Sequence, residues 1–147
     1  MEFKRVSIYV DKTNNLIVIA NGLIDKWGGM IKEIDMVEQL SFPYEENNVE
    51  TILLQMMNNW CALTPEEVGS TPLEKCLGLQ GYTKAVKGRK FIDFSWRINE
   101  GYFVTPTRRE KTGFVSLKDK RIMLGQQIVP GTLYCALMNA IDQSTSL

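Results

Sequence analysis

The stretch KAVKGRKFIDFSWRINEGYFVTPTRREKTGF, from Lys84 to Phe114, interleaves lysines and arginines with aromatic residues. Residues of these types could hold a nucleic acid, with cations against phosphates and rings under bases. The same mixture also describes an antiparallel sheet with one solvated face. Strand alternation sets Phe91, Asp93 and Ser95 on one face and Ile92, Phe94 and Trp96 on the other. A carboxylate at Asp93 is an awkward neighbour for phosphates, and the aromatics are also what a sheet core needs. A nucleic-acid-binding module built on Lys84–Arg121 therefore stands as the alternative reading.

Catalytic chemistry has little to work with. The chain contains no histidine, which rules out a Ser-His-Asp triad or a Cys-His pair and removes the commonest general acid-base and metal ligand. No phosphate-binding loop, dinucleotide fingerprint, HExxH helix or calcium loop is present. WGGM and LGLQG are glycine-bearing but lack the strand-turn-helix setting and the lysine of a phosphate loop. The adjacent pairs Glu45-Glu46 and Glu66-Glu67 read as loop-solvating carboxylates. The expectation is a protein that is not an enzyme and carries no metal or cofactor. Cys61, Cys76 and Cys135 are three, widely spaced and without CxxC, so no disulfide is expected. Cys61 and Cys135 sit in apolar helical patterns, where a buried thiol is the expectation.

Charge is segregated. Ile31–Lys75 holds nine acidic and two basic residues, a balance of −7, whereas Tyr82–Arg121 holds eleven basic and four acidic, a balance of +7. Such asymmetry can mark an interaction surface or two solvated faces that attract one another.

The elements that must position these residues follow from hydrophobic periodicity. FKRVSIYVD and LIVIA form an opening hairpin across the KTNN turn. NGLIDKWGGM reads as irregular, IKEIDMVEQL as a strand or a short helix, and SFPYEENN as a loop. Val49–Leu63 is the clearest helix: Val49, Ile52, Leu53, Met56, Met57, Trp60 and Leu63 share a face, with Asn48 as N-cap. A helical turn follows at Pro72–Cys76 and another short helix ends at Gly88. KFIDFSW and YFVTP form a hairpin over NEG, TRREKTG a charged loop, and FVSL and RIML a second hairpin over KDK. A closing helix puts Leu133, Ala136, Leu137, Ala140 and Ile141 on one face, and DQSTSL frays. Strands segregated from helices predict an α+β fold: an antiparallel sheet with two main helices packed on one face.

At 147 residues, with 44% apolar and 23% charged, the chain suits one domain spanning residues 1–147. No signal-peptide pattern and no apolar run of membrane-spanning length is present, so a soluble cytoplasmic protein is expected.

The run LGLQGYTKAVKGRKFI, followed by YFVTPT and GFVSL, resembles the immunity proteins of bacterial contact-dependent growth inhibition systems. The resemblance rests on Leu77-Gly78, Tyr82, Lys84, Val86, Gly88, Tyr102–Pro106 and Gly113-Phe114, within Leu77–Leu124. Gly81 stands where the family carries serine. The resemblance implies an inhibitor without catalytic residues. Its partner would be the C-terminal toxin domain of a large CdiA-type exoprotein, often a nuclease and here expected to cleave RNA, held as a 1:1 heterodimer. Nuclease toxins present basic grooves to phosphates, and an acidic surface fills such a groove and speeds encounter. The toxin-binding residues expected on that ground are Asp35, Glu38, Glu45, Glu46, Glu50, Glu66, Glu67 and Glu74.

Overall fold

A computed structural model of the chain describes residues 2–25, 28–66 and 69–146. Glu67, one of the expected contact residues, lies outside them. The chain opens with three strands, β1 (Phe3–Val10), β2 (Leu16–Ile24) and β3 (Met30–Leu40). Helix α1 (Glu46–Asn58) is followed by two short helices, α2 (Pro72–Leu77) and α3 (Tyr82–Ala85). Strands β4 (Lys90–Arg97), β5 (Gly101–Glu110), β6 (Gly113–Ser116) and β7 (Ile122–Gly125) lead to α4 (Thr132–Gln143). The sheet runs β3-β2-β1-β4-β5-β6, all antiparallel, with β7 also on β5.

The α+β architecture is the one expected. Val6, Ile8, Val10, Val18, Ile92, Phe94 and Val104 point to one side. There they pack against Val49, Leu53, Met56 and Met57 of α1 and Leu133, Ala136, Leu137 and Ala140 of α4. Each buried aliphatic or aromatic side chain contributes about 1.5–3 kcal/mol, and this layer carries most of the stability. The second face is not simply solvated. Tyr9, Ile17 and Ile19 meet Leu73 of α2 and Ala85 and Val86 at the end of α3, forming a smaller apolar cluster.

Several local expectations are corrected. IKEIDMVEQL, read as a strand or a short helix, is strand throughout, within the eleven residues Met30–Leu40 at the sheet edge. Strand β2 runs through Asn21-Gly22, because buried Asn21 donates to Ser7 Oγ (3.0 Å) and to Ile19 O (3.3 Å). Strand β5 extends through Thr107–Glu110 to pair with β6, so most of TRREKTG is strand. FVSL and RIML do not pair with each other: β6 lies along Thr107–Glu110 and β7 along Tyr102–Val104, both on β5. Helix α1 starts before Asn48, its cap position is Glu45, and no side chain caps it. It ends at Asn58, leaving Trp60 half-buried and Leu63 exposed. Cys61 and Cys135 are free and exposed, not buried; Cys61 lies in the turn beyond α1 and Cys135 on the outer side of α4. The tail is pinned: Thr145 N donates to Thr107 O (3.0 Å) and Thr107 N to Ser144 Oγ (3.0 Å).

Candidate functional site

The acidic set divides by what each carboxylate already touches. Glu50 is 6% exposed. Its Oε1 accepts from Gly131 N (2.9 Å) and its Oε2 from Tyr134 N (2.8 Å). Gly131 is the N-cap of α4 and has no side chain to cap with, so Glu50 satisfies the free N–H groups from across the core. Glu74 is also buried. It forms a capping box with Thr71 at the start of α2, and its Oε2 accepts from Gly81 N (2.9 Å), tying α2 to α3. Those donors, Gly81 N first, hold its carboxyl below the usual range. Both carboxylates are spent inside the fold, which corrects the expectation that they face a partner. A sequence cannot separate Glu50 from a surface carboxylate, since its donors lie in another helix. For Glu74 the Thr71-Pro72-Leu73-Glu74 capping box is the available signal, and only Gly81 N lies in a different element.

The remaining described members are exposed. Asp35 and Glu66 share Lys75, at 2.9 and 3.1 Å. All three are largely solvated, so the pairs add little stability. Glu38 lies on edge strand β3, while Glu45 and Glu46 stand at the start of α1. Glu45 borders a shallow hollow with Gln39, Tyr44 and Asn48.

The basic-aromatic stretch resolves into internal stacking. The Arg97 guanidinium sits 5.4 Å from the Phe3 ring centre and 5.5 Å from that of Phe103. Arg121 covers Phe103 at 4.4 Å, and Arg109 covers Phe114 at 5.1 Å. Phe91 lies between Tyr9 (5.2 Å) and Phe114 (5.4 Å). Arg97, Arg109 and Arg121 are thus engaged on rings of the protein itself, contacts that compete with base stacking and disfavour the nucleic-acid reading.

These stacks border a polar layer on the second sheet face. Alternation brings Arg5, Ser7 and Tyr9 of β1 beside Asn21 of β2 and Asp93 and Ser95 of β4. Arg5 Nη2 donates to Asn21 Oδ1 (3.3 Å), while its Nε is buried with no partner among the described residues. The Tyr9 hydroxyl donates to Glu33 Oε2 (2.6 Å) and lies 2.8 Å from the Tyr82 hydroxyl. Tyr9 has a single hydrogen and Glu33 holds it, so the hydrogen between the two phenols comes from Tyr82. Burial raises the Glu33 carboxyl above its ordinary value, against the pull of Tyr9, Ser7 and Arg5. Burial also raises Asp93, against Arg5, Ser95, Arg121 and Arg97, and pushes Tyr82 up to about 12. The layer opens into a cleft of about 300 Å³ floored by Arg5 and Tyr9 and walled by Lys32, Tyr82, Phe91 and Phe114. The sequence shows Tyr82 and Gly113-Phe114 as resemblance points only. What they build, a cleft between α3 and the β5–β6 hairpin, depends on tertiary pairing.

The arrangement is that of a small α+β protein with a polar, partly open sheet face and exposed carboxylates on its edge strand and α1. Two solved structures share the fold over nearly the whole chain. A protein of unknown function from Neisseria meningitidis matches with a TM-score of 0.73 at 14% identity, covering 98% of this chain and 96% of that one. One chain of the CdiA-CT/CdiI toxin and immunity complex from Yersinia pseudotuberculosis matches with a TM-score of 0.69 at 13% identity, covering 99% of each. The second match agrees with the resemblance carried by Leu77–Leu124. No family model matches the sequence, and no curated protein does.

Proposed function

We propose that the protein is an immunity protein, which binds the C-terminal toxin domain of a contact-dependent growth inhibition exoprotein and neutralises it. The observation that carries this reading is the fold shared end to end with a chain of a toxin and immunity complex. The ordered motif points from Leu77 to Phe114 agree with it. The toxin we assign is a nuclease, with RNA as its substrate, and the protein holds it 1:1 in the cytoplasm by covering its active site or substrate groove. The protein works by binding and performs no catalysis. The contacts fall to the exposed carboxylates Asp35, Glu38, Glu45, Glu46 and Glu66, and to Glu67 outside the described residues, since Glu50 and Glu74 are committed internally.

The test is growth protection. The toxin domain is the one encoded at the end of the adjoining exoprotein reading frame. It is induced in cells with and without this protein, and transfer RNA and plasmid DNA are followed on gels. Protection with intact RNA is expected, together with an affinity near nanomolar, about −12 kcal/mol. Glu45→Lys with Glu46→Lys should slow association and weaken its salt dependence. Cells that die equally with and without the protein would refute the reading.

A further inference from the structure

The immunity reading supplies exposed carboxylates that steer a partner, but rim charges hold a complex only weakly. Complexes are held by a few well-packed anchors, aromatic ones above all. One aromatic side chain is placed for that work. Phe42 is 55% exposed, in the loop between β3 and α1. A single exposed apolar residue is ordinary by itself. Phe42 differs in how it is held. Its backbone N–H donates to Asn15 Oδ1 (2.9 Å). Asn15 is fixed in turn by Asp11, whose carboxylate accepts from Asn15 N (2.9 Å) and Asn15 Nδ2 (3.1 Å). The Phe42 ring stands at 86° to that of Tyr44, with centres 5.6 Å apart, and Tyr44 stands at 76° to Tyr134 of α4, at 6.4 Å. Tyr44 and Tyr134 both pack against the main core. The three rings form a ladder from the core to solvent, and its outer rung is fixed before any partner arrives. An anchor held in this way has little conformational freedom left to lose on binding.

The surroundings set the charge of the partner. Glu38 precedes the loop on β3, and Glu45 and Glu46 follow it at the start of α1. All three are exposed, and none forms an ion pair within the described residues. Glu45 is the one charged residue among the described residues lining the adjoining hollow, which Ser41, Pro43 and Tyr44 of the same loop also line. An apolar knob with an acidic border fits an apolar recess bordered by lysines or arginines. A nuclease that grips phosphates carries such cations.

We propose that Phe42 is the anchor of the toxin interface: its ring enters an apolar recess of the toxin domain, while Glu38, Glu45 and Glu46 meet cations on the border of that recess. This rests on the immunity reading and adds to it the side chain that sets the lifetime of the complex. The carboxylates govern how fast the partners meet, and Phe42 governs how long they stay together.

Surface plasmon resonance against the purified toxin domain compares the wild type with Phe42→Ala and Phe42→Leu. Ile98→Ala and Met123→Ala serve as controls, each replacing a side chain that is 50% exposed in another element. Phe42→Ala should raise the dissociation rate at least about thirtyfold, the equivalent of about 2 kcal/mol, and leave the salt dependence of association unchanged. Phe42→Leu should recover part of that loss, and both controls should keep the wild-type rate. The second readout does not depend on the alanine variant. Phe42→Trp, grown with 5-fluorotryptophan, adds a fourth 19F resonance to those of the three native tryptophans. Saturating toxin domain should shift that resonance and shield it from a soluble paramagnetic agent. If Phe42→Ala fails to fold, as a thermal melt reports, the fluorinated variant decides. A wild-type dissociation rate in Phe42→Ala, the same increase in either control, or a fourth resonance still open to the agent in the complex overturns the anchor and leaves the immunity reading standing. A wild-type protein that does not bind the toxin domain at all overturns both.

Discussion

Glu50 offers the sharpest test of how the helical layer is held. It sits on α1, yet both its oxygens serve α4, on Gly131 N and Tyr134 N. Replacing it with alanine removes two hydrogen bonds to a charged acceptor, each contributing about 1.5–3 kcal/mol. It also uncovers the start of a helix that has no cap of its own. Water can reach part of the half-buried Gly131 and Tyr134, so the net cost should fall near the lower sum, about 3–4 kcal/mol. A domain of this size loses about 2–4 °C per kcal/mol, which puts the drop in Tm between about 6 and 16 °C. Glu50→Gln is the discriminating variant. The amide keeps the shape, but one of its two ends is a donor facing an N–H donor, so at least half of the loss should remain. Both variants would be measured by thermal and urea melts at neutral pH, with an unchanged urea slope as the check that the unfolded state is unaffected. Glu50→Gln melting with the wild type would show that burial alone, and not acceptance by both oxygens, is what the position requires.

Other consequences are equally measurable. Leu53→Ala, fully buried under the sheet, should cost about 2–5 kcal/mol, whereas Trp60→Ala, half-buried against Phe3, should cost less; the reverse order in urea melts would contradict the end of α1 at Asn58. Cys61 and Cys135 should react with a thiol reagent in the native protein much faster than half-buried Cys76, and the intact mass should show three free thiols. Stability should rise as pH falls from neutral toward the ordinary glutamate value of 4.5, because Glu33 and Asp93 bind protons more tightly folded than unfolded. It should fall at still lower pH, where Glu74 and Asp11, both held below their ordinary values, are protonated. Glu33→Gln should flatten the upper limb of that profile, and an unchanged limb would argue against a costly buried charge there.

Legibility followed the range of the forces involved. The opening hairpin, the apolar stripes of α1 and α4 and the α+β class are written in local periodicity, and Leu133, Ala136, Leu137, Ala140 and Ile141 are all buried as their spacing requires. Strand β3 was only half legible: Ile34, Met36 and Leu40 fit a period of two, but the sequence of IKEIDMVEQL left a strand and a short helix open, and pairing along β2 decides it. Asn21 could not be read, since its buried amide is satisfied by Ser7 and Arg5 of the neighbouring strand as well as by Ile19 O. The same holds for β6 and β7, whose short lengths and KDK turn suggest a hairpin while long β5 takes both. Among the acidic residues, composition could not distinguish Glu50 and Glu74, which serve backbone donors, from Glu45 and Glu46, which remain at the surface. The cleft is the least legible part, because Arg5, Glu33, Tyr82 and Phe114 come from four separate elements.

The position of β1 has a consequence for the order of events during synthesis. It is the first strand made and sits inside the sheet, with β2 on one side and β4 on the other. Its second partner pairs Val6 with Phe94 and Ile8 with Ile92, more than eighty positions along the chain. Until Lys90–Arg97 arrives, the β1–β2–β3 meander presents an open edge whose inward residues are valine and isoleucine. An unpaired apolar edge of that kind is a template for wrong pairing, and closing it over so long a span is slow. Slower translation at low temperature would lengthen the exposure of that edge, and a chaperone that shields nascent strands would find its first binding site at Val6–Val10.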